Sequence, residues 1–184
     1  MRKKIIFVLV FLFIMSLGYS ERGSIIFFGG NQWVSDKNIQ DIYGINFLRY
    51  GGELNINGYK SLGFFLKFSH QSQYGKTSYT KEETFIEMNP IIYGIKFGNQ
   101  FFVKVGMMNM RFQEKNPAPM EDFKDSTSGY YMGGGGRLKV IGPIHLQFEI
   151  AYTKGDYTIK FDDGTSSTIK LGGISTDVGF AITF

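Results

Sequence analysis

The chain has 184 residues, of which 43% are hydrophobic and none is cysteine, and its 20 basic and 16 acidic residues give a formal net charge of +4. Three of the basic residues lie within the first four positions, so the rest of the chain carries 17 basic against 16 acidic residues. This nearly neutral balance lacks the excess of basic residues that a nucleic-acid-binding protein needs. The lack of cysteine excludes a disulfide scaffold.

The first 20 residues have the three parts of a secretory signal peptide. Residues 2–4 are all basic, residues 5–15 are eleven apolar residues in a row, and small residues follow at Ser16, Gly18 and Ser20. Eleven residues are too few for a membrane-spanning helix, which needs about 20. We therefore predict export, with a signal peptide over residues 1–20, cleavage after Gly18 or Ser20, and one domain over residues 21–184.

Alternation of apolar and polar side chains predicts eight strands in the exported part. Strand 1 lies near residues 24–33, but the apolar run at residues 25–28 fits either face and leaves its register open. In the later strands one face is consistently apolar. Its residues are Tyr50, Leu54 and Ile56; Leu62, Phe64, Leu66 and Phe68; Ile91, Tyr93 and Ile95; Phe101, Val103, Val105 and Met107; Leu138 and Val140; Ile144, Leu146, Phe148, Ile150 and Tyr152; and Val178, Phe180, Ile182 and Phe184.

Short and long connections alternate between these strands. Tight turns are predicted at Asn57-Gly58, Gly98-Asn99 and Gly142-Pro143. Longer polar connections are predicted over residues 34–48, 71–84 and 113–128, with a hairpin tip at Asp162-Asp163-Gly164. In outer-membrane barrels the turns face the periplasm and the long loops face the cell surface.

The last strand carries a recognisable pattern in Asp177, Gly179, Ile182 and Phe184. A polar residue, a glycine two places later and two closing hydrophobic residues resemble the C-terminal recognition signal of bacterial outer-membrane barrels, which usually has an aromatic residue where Ile182 stands. A soluble β-sandwich or lipocalin-like barrel also explains alternation, with the apolar face inside, but it does not explain this ending.

Strand count, signal peptide and last strand together resemble the small outer-membrane barrels of the OmpA and OmpX type over the whole exported chain. The resemblance implies an all-β, eight-stranded antiparallel up-and-down transmembrane β-barrel in the cell outer membrane. It also implies lipid and lipopolysaccharide as surroundings, and periplasmic chaperones and the barrel assembly machinery as partners.

If the apolar faces meet lipid, the opposite faces carry charge into the lumen. An eight-stranded barrel is narrow enough for side chains to fill, and an isolated buried ion is costly. We predict a salt-bridged plug containing water, and neither an open pore nor a long dry cavity for acyl chains. The predicted lumen network is Arg49, Glu53, Lys67, Lys96, Lys104, Arg137, Glu149 and Asp177.

One segment has residues suited to catalysis. His70 and Ser72 share a strand face, and a hydroxyl beside an imidazole that a carboxylate orients can attack an ester. Glu82, Glu83 and Glu87 lie across the following loop or on strand 4, where one of them could meet His70. The spacing resembles the His-x-Ser motif of outer-membrane lipid A deacylases, which implies Ser72 as nucleophile, His70 as base and Glu83 as the orienting carboxylate. Gln73 stands where that family has asparagine, and the family's motif lies late in the barrel rather than on the third strand.

Other candidate motifs indicate no cofactor or metal. The glycine run at residues 133–136 lacks the lysine and helix of a phosphate-binding loop, and a close backbone approach explains it better. Two histidines without cysteine do not predict a transition-metal site. The acidic residues Glu121, Asp122 and Asp125 indicate a solvated loop rather than a calcium site.

The function predicted from these features is a structural or surface-interaction role, with lipid A deacylation as the alternative. Binding specificity usually resides in loops, so the predicted ligands are lipopolysaccharide, host molecules or other cells.

A girdle position near the loop bases is predicted for a group of methionines and aromatic residues. They are Tyr43, Phe47, Met107, Met108, Met110, Tyr130 and Tyr131.

Overall fold

The computed structural model describes residues 22–58, 61–76, 82–116, 122–160 and 164–184, so the predicted signal peptide lies outside the described residues. Nine strands and one helix form within these ranges. They are β1 (Gly23–Val34), α1 (Lys37–Tyr43), β2 (Asn46–Asn57), β3 (Leu62–Lys76), β4 (Glu83–Phe97), β5 (Phe101–Lys115), β6 (Phe123–Ile141), β7 (Ile144–Lys160), β8 (Ser166–Lys170) and β9 (Gly173–Thr183). No helix in the described part of the chain is long and apolar enough to cross a membrane.

The strands form one closed antiparallel sheet. Each strand from β1 to β7 pairs with the next, and β9 lies between β7 and β1. Because β8 and β9 pair with successive parts of β7, they are one barrel strand that is interrupted at Leu171 and Gly172. The predicted eight-stranded antiparallel barrel is therefore confirmed.

Tight turns close one end of the barrel, here called the turn end. Gly98 (φ 94°) and Gly142 (φ 52°) adopt positive φ there, which explains glycine at both predicted turns. The opposite end, which carries α1, is called the loop end. In β1 the open register is settled, because Ile25 and Phe27 point outward while Ile26 and Phe28 are buried.

The outward faces of the turn-end half are apolar, as predicted. Phe27, Phe64, Phe101, Ile150 and Phe180 each expose at least 61% of their surface. Such a band is what lipid contact requires, whereas in water it would be an aggregation surface. The predicted apolar faces are the exposed faces of every later strand.

Two predicted loops, over residues 71–84 and 113–128, are mostly strand, which corrects the sequence prediction. β3 continues to Lys76, β4 begins at Glu83, β5 continues to Lys115 and β6 begins at Phe123. These strands exceed the roughly 9–11 residues that a membrane-spanning strand needs. The connection over residues 34–48 contains α1, and the tip residues Asp162 and Asp163 lie outside the described residues.

Near the loop end the apolar residues move from the outward face to the inward face of the strands. This change of polarity is why the sequence pattern predicts loops there. Ile86, Met88 and Phe112 point inward and are at most 4% exposed, whereas Glu87 and Arg111 lie on the outward face. The loop-end part of β4 and β5 is thus apolar inside and mostly polar outside. The girdle prediction is wrong for Tyr43, Phe47, Met108, Met110 and Tyr131, which are buried inside, and fits only Met107 and Tyr130.

The glycine run of β6 is explained by a close approach at Gly135. A Cβ there would lie 1.9 Å from the carbonyl oxygen of Phe148 and 2.8 Å from the ring of Phe102, whereas at Gly136 the nearest atoms, on Phe101, are 3.6 Å away. We expect Gly135→Ala to cost about 1–3 kcal/mol of stability through overpacking, and Gly136→Ala to stay within about 0.5 kcal/mol. Urea unfolding of both variants in vesicles checks this, and equal midpoints would contradict it.

Candidate functional site

Six of the eight predicted lumen residues meet in the centre of the barrel. Three cations and three carboxylates from five barrel strands form this central charge network: Arg49, Glu53, Lys67, Lys104, Glu149 and Asp177. Each is at most 5% exposed. The six formal charges balance, which is the condition for holding ions in a region shielded from water.

The contacts cross the lumen rather than running along its wall. Lys104 Nζ lies 2.5 Å from Glu53 and 2.5 Å from Glu149. Lys67 Nζ lies 2.5 Å from Glu149 and 2.8 Å from Asp177, whose other oxygen is 3.4 Å from Arg49 Nε. Since β3 and β7 lie on opposite sides of the barrel, the Lys67–Glu149 pair spans its interior.

Aromatic residues surround the two lysines of this network. Lys67 Nζ lies 4.6 Å from the ring centroid of Phe28, and Lys104 Nζ lies 4.7 Å from that of Phe102. The Tyr131 hydroxyl donates a hydrogen bond to Glu149. Cation–π contacts and this donor complete the shell around charges that have lost their water.

Lys96 and Arg137, the other two predicted lumen residues, are buried nearer the turn end. Lys96 Nζ lies 5.6 Å from the ring centroid of Phe102, and Arg137 donates to Gln147 at 2.8 Å and to Ser24 at 3.0 Å. Arg137 also lines a cavity of about 250 Å³ at the turn end. Both residues therefore lie on the turn-end side of the central charge network.

The loop-end half of the interior is a hydrophobic core, which the sequence did not predict. Buried residues from β4 and β5 pack there against α1 and β2, and they include Ile86, Met88, Met108, Met110 and Phe112. Phe47 is fully buried among them. The barrel interior thus changes from charged to apolar between the turn end and the loop end.

Beneath α1 lies a cavity of about 380 Å³, here called the apolar chamber. This volume is within the range of small-molecule sites. The expectation that basic residues would exclude an apolar space is wrong for this half of the barrel. The described residues that line the chamber are Asn38, Ile39, Ile42, Tyr43, Ile86, Phe112, Glu114, Phe123, Ile159, Ser167, Ile169 and Leu171.

Asp36 and Tyr43 hold α1 over the chamber. The Asp36 carboxylate accepts from the backbone N–H groups of Asn38 (2.9 Å) and Ile39 (3.3 Å) at the helix start, and from that of Lys170 in β8 (2.9 Å). The Tyr43 hydroxyl donates to Glu114 on β5. Burial, followed by this hydrogen bond, raises the pKa of Tyr43 above its ordinary value, so the hydroxyl remains a donor.

A seam in the wall lies beside the chamber. The pairing of β6 with β7 stops at Gly129 and Gly155, and beyond it β6 pairs only with β5 while β7 pairs with β8. Side chains bridge the gap. Tyr157 donates to Asp125 at 2.5 Å, and this bond lowers the pKa of Asp125 and raises that of Tyr157.

The other two acidic residues predicted in a solvated loop are Glu121 and Asp122. Asp122 accepts from the Asn116 backbone at 3.2 Å, and Glu121 is outside the described residues.

His70 and Ser72 lie on the outward face of β3, where the apolar band ends. Nδ1 of His70 donates to Asn89 Oδ1 at 2.8 Å, and the Asn89 amide donates to Glu87 at 2.7 Å. His70 Nδ1 is 3.7 Å from Glu87, which pairs across the ladder with Ser72. Glu83 pairs with Lys76, four residues beyond Ser72, so the structure does not bring it to His70.

The residues of the predicted assembly pattern have several places in the fold. Asp177 belongs to the central charge network. A Cβ at Gly179 would lie 2.5 Å from the carbonyl oxygen of Phe27, so the glycine permits close pairing with β1. Ile182 and Phe184 are each 47% exposed. Asp177 and Gly179 therefore also have roles in the structure of the barrel itself.

Comparison with known proteins gives matches in structure only. No protein-family model and no curated protein matches the sequence. Among solved structures, OprG of Pseudomonas aeruginosa has a TM-score of 0.65 at 9% identity, covering 91% of this chain and 98% of OprG. The outer membrane protein AlkL in lipid bilayers has a TM-score of 0.59 at 15% identity, covering 92% and 93%. Ail of Yersinia pestis, in complex with the heparin analogue sucrose octasulfate, has a TM-score of 0.54 at 13% identity, covering 89% and 100%.

These matches and the barrel topology show the fold, which is the closed eight-stranded barrel seen in small outer-membrane proteins, as predicted. The identities are too low to carry more than the fold. Within that fold the chain has a charged interior at its turn end, an apolar interior at its loop end and one helix over the loop end.

Proposed function

We propose that this chain is an outer-membrane barrel with a structural or surface-interaction role, whose lumen does not conduct ions. The observation that carries the proposal is the central charge network, which crosses the lumen with balanced charge and contacts of 2.5–2.8 Å. An ion passing through would have to break several buried pairs, each costly to separate. The loop end would then be the part that acts on other molecules.

Several polar side chains on the outer wall fit a lipopolysaccharide environment. Above the apolar band, His70, Asn89 and Asn109 lie on the outward face, and Ser128 donates to Asn109 at 2.8 Å. Arg111 is exposed one step higher on β5. Hydrogen-bonding groups and a guanidinium at this level suit sugars and phosphates of lipid headgroups. The barrel assembly machinery remains a predicted partner through the last strand.

Conductance in planar bilayers tests the closed lumen. We expect the intact chain to give no sustained open-channel current, because the central charge network fills the cross-section. A triple variant, Glu53→Ser, Lys104→Ser and Glu149→Ser, shortens three crossing side chains with a net charge change of one. Because the hydrophobic core still fills the loop-end half of the interior, this variant should also pass no sustained current. Stable ohmic steps from the intact chain would contradict the proposal.

A second candidate function is lipid A deacylation, supported by the position of His70 on the outward wall. Its Nδ1 is fixed by Asn89, which in turn binds Glu87, so Nε2 is left to accept a proton. Ser72 would be the nucleophile, and Glu87 takes the orienting role predicted for Glu83. His70 makes no hydrogen bond to Ser72, so the substrate would have to bring the two groups together.

Mass spectra of lipid A from expressing cells test this second candidate. If it holds, the intact chain removes an acyl chain, Ser72→Ala and Glu87→Gln abolish or reduce that loss, and Glu83→Gln retains it. Ser126→Ala is the matched control, because it removes an exposed hydroxyl from the outward face of β6, away from His70 and outside the polar groups named above. Spectra identical to those of cells lacking the chain would reject deacylation of this substrate.

A further inference from the structure

The apolar chamber has the composition of a binding site for an aliphatic molecule. Apolar side chains from α1, β4, β5, β6, β7 and β8 face it, among them Ile39, Ile86, Phe112, Ile169 and Leu171. Ile39, Ile86, Phe112 and Leu171 are at most 6% exposed. Filling an apolar space of this size with hydrocarbon is favourable, because it removes apolar surface from water.

Polar groups at the chamber are few, and only one of them is charged. Glu114 is the only charged residue among the described lining residues, and one of its oxygens accepts from Tyr43. Tyr43 is also 3.0 Å from the Thr84 hydroxyl, which donates to the carbonyl of Lys115. The Tyr43 and Thr84 hydroxyls are therefore committed within the protein, and Asn38 and Ser167 add neutral polar groups to the lining. What Glu114 offers a ligand is a hydrogen-bond acceptor of negative charge.

We propose that the apolar chamber binds a neutral aliphatic alcohol, with its tail against the isoleucine and phenylalanine side chains and its hydroxyl donating to Glu114. A fatty acid of the same length would bring a second negative charge beside Glu114 in a region of low dielectric, and it is disfavoured. The seam between β6 and β7 is the route of access, because Phe123 and Ile159 line both the seam and the chamber.

The position of the seam also determines how the ligand enters. Two exposed contacts bridge the seam: the Tyr157–Asp125 pair and the bond from Thr127 to the carbonyl of Asp156 (2.7 Å). No backbone pairing joins β6 to β7 at this level. Separating the polar contacts costs little, since water replaces them. Entry also parts the Tyr157 ring from Phe112 and Phe123, whose ring centroids lie 5.0 and 5.7 Å away, but it breaks no strand pairing. The inference goes beyond the surface role proposed above and stands independently of the closed lumen.

Cysteine protection tests the proposal, because the chain has no cysteine of its own. In the full chain refolded into phospholipid nanodiscs, Ile169→Cys places a thiol in the chamber, and Thr168→Cys places one on the exposed opposite face of β8 as a matched control. Ile86→Cys, on the wall of β4, is a second reporter should the first fail to fold. A small thiosulfonate reagent measures the labelling rate, with 1-octanol and sodium octanoate as probes.

We expect 1-octanol to slow labelling of Ile169→Cys saturably, by about tenfold at ten times its Kd, and to leave Thr168→Cys unchanged. Octanoate should protect weakly, and adding Glu114→Gln should bring its protection to that of octanol. Equal slowing at all positions, no protection at either reporter, or a chamber thiol that never reacts while Thr168→Cys does would each overturn the proposal. Equal protection by octanol and octanoate with Glu114 intact would also overturn it.

Discussion

Replacing Lys104 by methionine should lower the free energy of unfolding by about 3–5 kcal/mol, the usual cost of removing one partner from a buried ion pair. Lys104 contacts both Glu53 and Glu149 at 2.5 Å and is fully buried. Methionine keeps most of the side-chain volume but leaves the central charge network with three carboxylates and two cations. Urea unfolding in phospholipid vesicles, followed by the fluorescence of Trp33, the only tryptophan, measures the loss.

Two further variants separate burial from charge balance. Lys154→Met removes a lysine whose partner Asp156 is 3.7 Å away and whose side chain is 58% exposed, so its cost should stay below about 1 kcal/mol. Adding Glu53→Gln to Lys104→Met restores neutrality and should recover part of the loss in a double-mutant cycle. If Lys104→Met and Lys154→Met cost the same, the central charge network would not be a dry buried cluster.

The fold of the turn-end half was predictable because its side chains obey a single rule. Along β7, apolar residues such as Phe148 and Ile150 point outward while Glu149 points inward, and the same alternation continues through the ladder. A period of two over several residues determines both the strand and its orientation. The inward charges follow from the same pattern, so the members of the lumen network could be listed from sequence.

The loop-end half was not predictable by that rule because the alternation changes phase. Around Met88 and Asn89 the inward residues become apolar and the outward residues polar, as in the soluble barrel that also explains alternation. Along β5, Met108 and Met110 share the inward face with Lys104 and are buried there, so the girdle prediction failed because it grouped residues by type and ignored this alternation. A search for a change of phase within one strand would have found the longer strands and the hydrophobic core.

The partners of candidate site residues depend on register between strands, which composition does not reveal. The resemblance to the deacylase motif implies Glu83 as the carboxylate for His70, but the pairing of β3 with β4 puts Glu87 opposite Ser72 and Glu83 opposite Lys76. The apolar chamber is equally a product of assembly, since its walls come from α1 and five barrel strands. Both sites required three-dimensional placement of residues whose types were visible from the start.

The second large effect concerns the hydrophobic core at the loop end. Phe47→Ala should cost about 3–5 kcal/mol, because it removes a fully buried ring and leaves a cavity. Phe47 packs against Tyr43 of α1 with a ring-centroid distance of 6.5 Å, so the loss should also loosen the helix. The urea midpoint measures the first effect, and hydrogen exchange at the backbone of α1 measures the second.

Leu48→Ala is the matched control for Phe47→Ala, because the two residues are neighbours on β2 and lie on opposite faces. Leu48 is 65% exposed to the outside of the barrel, and truncating it opens no internal cavity. We expect a much smaller change in the urea midpoint and unchanged exchange in α1. If the two variants lost equal stability, the barrel would be held by its outer surface at this level, and the loop end would not have a core of its own. A large difference would instead mean that this end is stabilised as a soluble β-barrel is, by apolar packing inside, while the turn end is stabilised by lipid outside and paired charges within.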